Sequence, residues 1–358
     1  MGKTILDAGT CFARFSIPQI DVKIAEGKDF IISATGSYQI KDKKRTRIFH
    51  HPVQIEISAA GIKIDGELWQ EEIRIESSGR SFCQVNGREY RGVIFVKKNK
   101  ENLQVINTLS LEEYLYGLIK LEISPEWPLS TLCAQAIVAR TYAIRKLWEG
   151  NSLITNLPAH QAYGGIKAED ARGRIAVDLT RGEILVYQGE PVNSVYHACS
   201  GGYTASSREV WGEDFPYLRA QPDPFSTLSP YSRWTVRISK QKLEEILQKI
   251  GLRLKGIKAL KILEKDTSGR CKLLLILAEN TSQIIPGKKL REIMGFNVLR
   301  STFFQVENEK DEFVFRGKGW GHGVGMSQWG AAKMGKMGYT TEEILRFYYP
   351  ETRIDKIY

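Results

Sequence analysis

The spacing of apolar residues changes period once, at Ser110, and that change divides the chain. From Phe15 to about Thr108 polar and apolar residues alternate, as in Asp21-Val22-Lys23-Ile24, Gln54-Ile55-Glu56-Ile57, Ile62-Lys63-Ile64 and Glu72-Ile73-Arg74-Ile75-Glu76. A period of two belongs to strands with one buried face. Gly- and Asn-rich breaks separate the segments, and Val85-Asn86-Gly87-Arg88 carries the signal of a tight hairpin turn. This region therefore reads as antiparallel β-structure. At Ser110-Leu111-Glu112-Glu113 a capping box opens a helix, a hydroxyl accepting from first-turn amides with a Glu three residues on. Leu111, Tyr114, Leu115 and Leu118 then share one helical face, and Pro125 and Pro128 end it. A second helix is expected from about Ser130 to Trp148, with Leu132, Ala136, Arg140, Ala143 and Leu147 in helical period. Its alanines, 134, 136, 139 and 143, permit close packing against a neighbour.

A polar, turn-rich stretch follows over residues 151–174, then a hairpin within 182–199 turning at Gln188-Gly189-Glu190. Ser239 caps a helix reaching Ile250, strands include 272–278, a short helix covers about 289–294, and a glycine-rich run occupies 317–330. A second capping box, Thr340-Thr341-Glu342-Glu343, opens the last helix. Strands, then helices, then strands predict an α+β fold, an antiparallel β-rich N-terminal region followed by a mixed helix/strand core, rather than a doubly wound sheet. Four parts are expected: 1–108, 109–235, 236–315 and 316–358.

Lys and Arg number 51 against 41 Asp and Glu, a net charge of +10. That balance favours a polyanionic partner. The densest basic clusters, 41–47 and 97–100, read as solvated loops or strand edges rather than a nucleic-acid patch. The longest apolar run, 273–278, is six residues, against roughly 18 for a bilayer span, so no transmembrane segment is expected. The N-terminus shows no apolar stretch of the signal-peptide kind. Five cysteines, 11, 83, 133, 199 and 271, are scattered without a C-x-x-C. They form neither a disulfide framework nor a thiolate zinc site.

Three segments could carry chemistry. Glu122 ends the first helix between apolar neighbours, Leu121 and Ile123. A carboxyl group in an apolar cleft keeps its proton towards neutrality and can donate it; a helix-end Glu paired with Lys120 or Arg140 would give the same pattern. The second segment is Tyr196-His197-Ala198-Cys199-Ser200-Gly201-Gly202-Tyr203-Thr204. Its paired glycines would let a ligand approach the backbone. Cys199 or Ser200 as nucleophile with His197 as base is formally available, though residues so near along a strand rarely meet that way. The third is Gly317-Lys318-Gly319-Trp320-Gly321-His322-Gly323-Val324-Gly325-Met326-Ser327-Gln328-Trp329-Gly330. It is not G-x-G-x-x-G, and no Walker A occurs, so a nucleotide site is not expected. Alternating glycines bare one backbone face, while Trp320, His322, Ser327 and Gln328 offer stacking and hydrogen bonding suited to a sugar. A tightly packed structural turn would look the same.

Taken in order, these segments resemble the SpoIID/LytB family. The matching pieces are Leu111-Glu112-Glu113-Tyr114-Leu115-Tyr116-Gly117 leading to Glu122; Ala134-Gln135-Ala136-Ile137-Val138-Ala139-Arg140-Thr141-Tyr142-Ala143; Ser200-Gly201-Gly202-Tyr203-Thr204 with Val210-Trp211-Gly212; Asp223-Pro224; Gly319 to Gln328; and Phe347-Tyr348-Tyr349-Pro350. The resemblance implies a lytic transglycosylase of peptidoglycan. Such an enzyme cuts between N-acetylmuramic acid and N-acetylglucosamine in glycan strands stripped of peptides and leaves 1,6-anhydro ends. It implies Glu122 as general acid and base, with 109–235 as the catalytic core and 316–358 completing its groove. Gln135, Arg140, Tyr142, His197, Ser200, Gly201, Gly202, Tyr203, Trp320, His322, Gly323, Ser327 and Gln328 are then expected to bind substrate, with Arg140 as the carboxylate partner. Denuded glycan carries a lactyl carboxylate on every second sugar, which suits a basic protein. No cofactor is expected, and no zinc, since the stretch matching a relative's metal ligands has His160 but no Cys. Cys133 stands where many relatives have Lys. A cell-wall amidase is a further expected partner, and the substrate implies an extracytoplasmic location. The alternative is a non-catalytic wall-binding modifier of an amidase. A nucleic-acid binder has no supporting motif.

Overall fold

The computed structural model describes residues 16–150, 153–155 and 161–358. The chain divides into two compact units, residues up to 193 together with 354–358, and residues 194–353.

In the first unit the alternating N-terminal segments become two sheets. One runs, neighbour to neighbour, Leu153–Thr155, Gln19–Gly27, Asn102–Ser110, Val93–Asn99, Glu72–Ser77, Tyr38–Lys41 and Thr46–Phe49. Every pairing in it is antiparallel except the first, which is parallel. The other sheet contains Arg88–Tyr90, Cys83–Val85, Asp29–Ala34, Val53–Ser58, Gly61–Ile64 and Glu67–Trp69. The expected hairpin closes at Asn86 and Gly87, both at positive φ (48° and 74°), the backbone such a turn requires. Alternate residues of both sheets, among them Val22, Ile73, Ile94 and Val105 from one and Ile32, Ile55 and Ile62 from the other, enter one buried cluster. Leu111, Tyr114, Leu115, Leu132, Ala136 and Ala143 from the helices join the same cluster. The break expected at 108/109 is therefore a change of secondary structure inside one core, not a domain boundary.

The helical layer begins with α1 (Leu111–Tyr116), whose capping box is complete: Ser110 Oγ accepts from Glu113 N–H, and the Glu113 carboxylate accepts from Ser110 N–H. The single helix expected up to Pro125 is instead two pieces, α1 and α2 (Ile119–Glu122). The interruption falls at Gly117, whose carbonyl accepts Gly164 N–H at 3.1 Å instead of a later helical amide. Next come α3 (Leu129–Trp148) and α4 (Ala171–Leu179), the latter capped by Asp170. The strand Glu183–Tyr187 turns at Gln188 and Gly189 into Glu190–Pro191, and the late strand Arg353–Lys356 lies along its other edge.

The second unit has its own core. Trp234–Ser239, Glu312–Gly317 and Phe304–Asn308 form one antiparallel sheet, and Ala259–Lys265, Cys271–Leu277 and Ser282–Pro286 another. The Ser239-capped helix Lys240–Lys249 and the helix Gly287–Met294 pack with them through Leu243, Leu247, Leu274, Ile276, Leu290 and Phe313. A short parallel pair, Tyr196–His197 with Met326–Ser327, brings the Ser-Gly-Gly bend beside the glycine-rich run. The helices Gln328–Lys336 and Thr341–Tyr348 follow, the second with its capping box complete. The expected breaks at 235/236 and 315/316 both fall within this unit. The molecule is α+β, as the order of its elements implies. Among the described residues no helix is long and apolar enough to cross a membrane.

Candidate functional site

Glu122, Gln135, Arg140 and Tyr142 belong to the first unit, and the other expected site residues belong to the second. Glu122 is half-buried at the last turn of α2. Its Oε1 accepts the main-chain N–H of Ala162 at 3.1 Å. That amide is placed by residues 161–165, a segment locked in from several sides. Tyr114, fully buried, donates its hydroxyl to Gln161 Oε1 (3.1 Å), and Gln161 Nε2 donates to the Ala139 carbonyl (3.3 Å). Tyr163 donates to Asn107 Oδ1 at 2.8 Å and its ring lies 5.4 Å from that of Tyr114. The segment passes over Gly117 so closely that a Cβ there would stand 2.8 Å from the Tyr163 ring. Burial, with the Glu122 charge second, holds the Tyr114 hydroxyl well above its ordinary pKa. Sequence reading missed this support, because a main-chain N–H from a polar stretch has no residue signature.

Several other carboxylates of the first unit are engaged elsewhere. Glu113 completes the capping box, Glu169 takes the Arg91 guanidinium in a forked pair, and Asp178 accepts from Tyr116. Glu112 belongs to Arg140, and this corrects the expectation that Arg140 meets a substrate carboxylate. Both side chains are enclosed, at 0% and 2% exposure. Nε and Nη2 of Arg140 fork onto the two Glu112 oxygens at 2.8 and 2.9 Å. The remaining N–H groups reach Thr180 Oγ1 and the carbonyls of Glu183 and Val177. All five guanidinium donors are thereby used inside the protein. Tyr358 also donates to Glu112. Gln135 is likewise enclosed within α3, whereas Tyr142 stays half-buried with the Lys146 ammonium 5.7 Å from its ring centre. Cys133 is buried, its thiol 3.9 Å from the Ala176 carbonyl where α3 meets α4. His160 lies outside the described residues.

In the second unit the Ser200 side chain is committed inside the protein. It is 0% exposed and donates to Asp223 Oδ2 at 2.7 Å, with Ser226 Oγ 2.6 Å away. Tyr348 donates to the other Asp223 oxygen, and Ser327 Oγ accepts the N–H groups of Ser200 and Gly330. This is a buried polar network, and it removes Ser200 and Ser327 from the expected substrate contacts. The Cys199 thiol is raised by burial and bonds the Ser226 carbonyl, so neither residue is an activated nucleophile. Gly201 and Gly319, both at positive φ, serve a backbone-to-backbone crossing: a Cβ on either would stand within 3 Å of the other strand. Gly323 is buried beneath the Arg270 guanidinium, and Gln328 is enclosed at the start of its helix. At Gly201, Gly319 and Gly323 the missing side chain leaves room for the protein's own atoms.

His197 is buried, its Nδ1–H donating to the Val324 carbonyl at 3.0 Å. His322 Nδ1 accepts Val324 N–H at 3.1 Å, and its ring lies 5.5 Å from His197 and 5.1 Å from Trp211. Burial first, then neighbouring positive groups, holds His197 well below the ordinary imidazole value and His322 down to about 4. Both rings are therefore neutral near pH 7. Gly202, Tyr203, Trp320 and His322 remain half-buried. Trp320 packs edge-on against Tyr231 at 4.7 Å, and the Arg300 guanidinium lies 5.1 Å from its ring centre.

Comparison with known proteins bears on this arrangement. The family profile described as Stage II sporulation protein matches residues 99–187, and a domain of unknown function (DUF8618) matches 225–325. The stage II sporulation protein D of Bacillus amyloliquefaciens is 30% identical over 264 residues, covering 68% of this chain and 74% of that protein. The protein of the same name from Bacillus subtilis (strain 168) is 29% identical over 271 residues, covering 71% of this chain and 76% of the relative. The amidase enhancer of Bacillus subtilis (strain 168) is 31% identical over 288 residues; the match spans 67% of this chain but 40% of the enhancer. The first profile covers α1, α2 and α3, with Glu122 among them, and on this sequence evidence the chain belongs to the SpoIID family.

Proposed function

We propose that the protein is a lytic transglycosylase of peptidoglycan glycan strands, with Glu122 as its one general acid and base. A cell-wall role is supported by family membership and by the amidase enhancer among the relatives. The finer reading is carried by the Glu122 carboxyl group, half-buried at a helix end and oriented by the Ala162 amide. A glycosidase that uses water works with two carboxyl groups. An intramolecular transfer works with one. Glu122 gives its proton to the oxygen between N-acetylmuramic acid and N-acetylglucosamine as the C1–O bond breaks. The resulting carboxylate takes the proton of the muramic C6 hydroxyl while that oxygen attacks C1 and closes the 1,6-anhydro ring. The proton returns to Glu122 and no water is consumed. An extracytoplasmic location belongs to the same proposal, since that is where such a substrate is found.

The test is mass analysis of products from peptide-free glycan. Wild type is expected to release 1,6-anhydro ends, and Glu122→Gln to release none while melting at the same temperature. Equal product from both proteins would reject the assignment. The name of one relative, amidase enhancer, favours a second reading, a non-catalytic partner of a wall amidase. Its mark would be stimulation of an N-acetylmuramoyl-L-alanine amidase that survives Glu122→Gln.

A further inference from the structure

Within the second unit, Tyr231, Trp320, Trp329 and Arg300 form a half-buried cluster. The Tyr231 ring meets Trp320 edge-on at 4.7 Å and Trp329 at 5.9 Å. The Arg300 guanidinium lies over both Trp320 (5.1 Å) and Tyr231 (5.7 Å). The backbones that carry these side chains are fixed. Trp320 exchanges two main-chain hydrogen bonds with Cys199, Trp329 N–H donates to Ala198, and the Arg300 carbonyl accepts Gly321 N–H. Tyr231 N–H is held by Ser229 Oγ. The polar ends of Tyr231, Trp320 and Arg300 are uncommitted. Among the described residues, the Arg300 guanidinium makes no ion pair or hydrogen bond, nor does the Tyr231 hydroxyl or the Trp320 indole N–H bond to any partner. Contact with aromatic faces leaves the in-plane N–H fork of an arginine available to a planar anion.

We propose that this shelf is a sugar subsite whose Arg300 grips a sugar carboxylate, the lactyl group of a muramic acid residue. The inference rests on the glycan reading above and deepens it. The ring faces that Arg300 leaves uncovered stack against the C–H face of a pyranose, the Tyr231 hydroxyl and the Trp320 indole N–H hydrogen-bond its hydroxyls, and the guanidinium forks onto the carboxylate. Arg300 thus takes the part that the sequence assigned to Arg140, which is closed off inside the first unit. Because the backbones are already held, little ordering opposes binding.

The experiment is co-sedimentation of the full chain with peptide-free glycan, native or with its lactyl carboxylates chemically reduced to alcohols. Wild type is expected to bind the native form roughly tenfold or more tightly, the scale of a hydrogen bond to a charged group. Arg300→Gln should erase that preference without changing the melting temperature, and Arg300→Lys should restore part of it. Trp320→Ala should weaken binding to both forms alike. If wild type prefers native glycan and Arg300→Gln keeps that preference, the subsite assignment is wrong while the glycan reading stands. If wild type binds neither form, the glycan reading falls and the subsite with it.

Discussion

Arg140 and Arg300 carry the same side chain into opposite circumstances, one with every donor bonded inside the protein and the other lying over aromatic rings. Removing one member of a buried pair strands the other's charge. Arg140→Met should therefore lower stability by about 3–5 kcal/mol in urea unfolding, and adding Glu112→Gln should recover part of the loss. The sequence placed Arg140 on the helical period of α3, among residues that turned out buried. It could not show its partner, because Glu112 lies between Ser110 and Glu113, the two residues of the capping box, and reads as a first-turn helix charge. A second residue-scale effect concerns His322. Its imidazole takes a proton at about 4 in the folded chain against 6.5 when unfolded. The unfolded state thus binds more protons between these values, so acidification from pH 6.5 to 4 favours unfolding, by a total on the order of 3 kcal/mol. Thermal melts at pH 7 and pH 4.5 should show the drop, and His322→Phe should make it shallower.

Among the elements, those specified by neighbouring residues were legible and those specified by distant ones were not. Alternation gave the N-terminal strands, Asn86-Gly87 gave a hairpin, and the Ser110 and Thr340 capping boxes gave two helix starts. The break between α1 and α2 was not legible, since it depends on Gly164 claiming the Gly117 carbonyl. Alternating glycines in the late run suit a ligand face and a tightly packed turn equally. Gly319 of that run and Gly201 of the Ser-Gly-Gly bend each admit another length of backbone. Gly117→Ala tests the element that seats Ala162. Its methyl group would press on Tyr163, and overpacking of this kind costs about 1–3 kcal/mol. Displacing the 161–165 segment should also depress anhydro product formation, while glycan sedimentation dependent on Arg300 stays unchanged.

For the whole molecule, composition and order of elements were enough for the fold class but not for the partition. Strands and helices were expected to part at residue 108, yet Ile94 and Leu115 lie in the same cluster, while Leu274 lies in another. Separate cores predict separate responses. Ile94→Ala and Leu274→Ala should each cost about 2–5 kcal/mol. Hydrogen exchange should quicken across the unit that holds the mutation and stay unchanged in the other.

The strand Arg353–Lys356 has a temporal consequence. It belongs with Glu183–Tyr187 and is followed by Tyr358, which bonds Glu112. A ribosome emits residues 354–358 only after all of 194–353, so the second unit emerges complete while the first still waits for its edge. During synthesis the Glu112–Arg140 pair must form without its tyrosine. Deleting 354–358 should hold the nascent first unit at that stage, exposing it to protease although the missing residues lie more than a hundred positions downstream of the helices they brace.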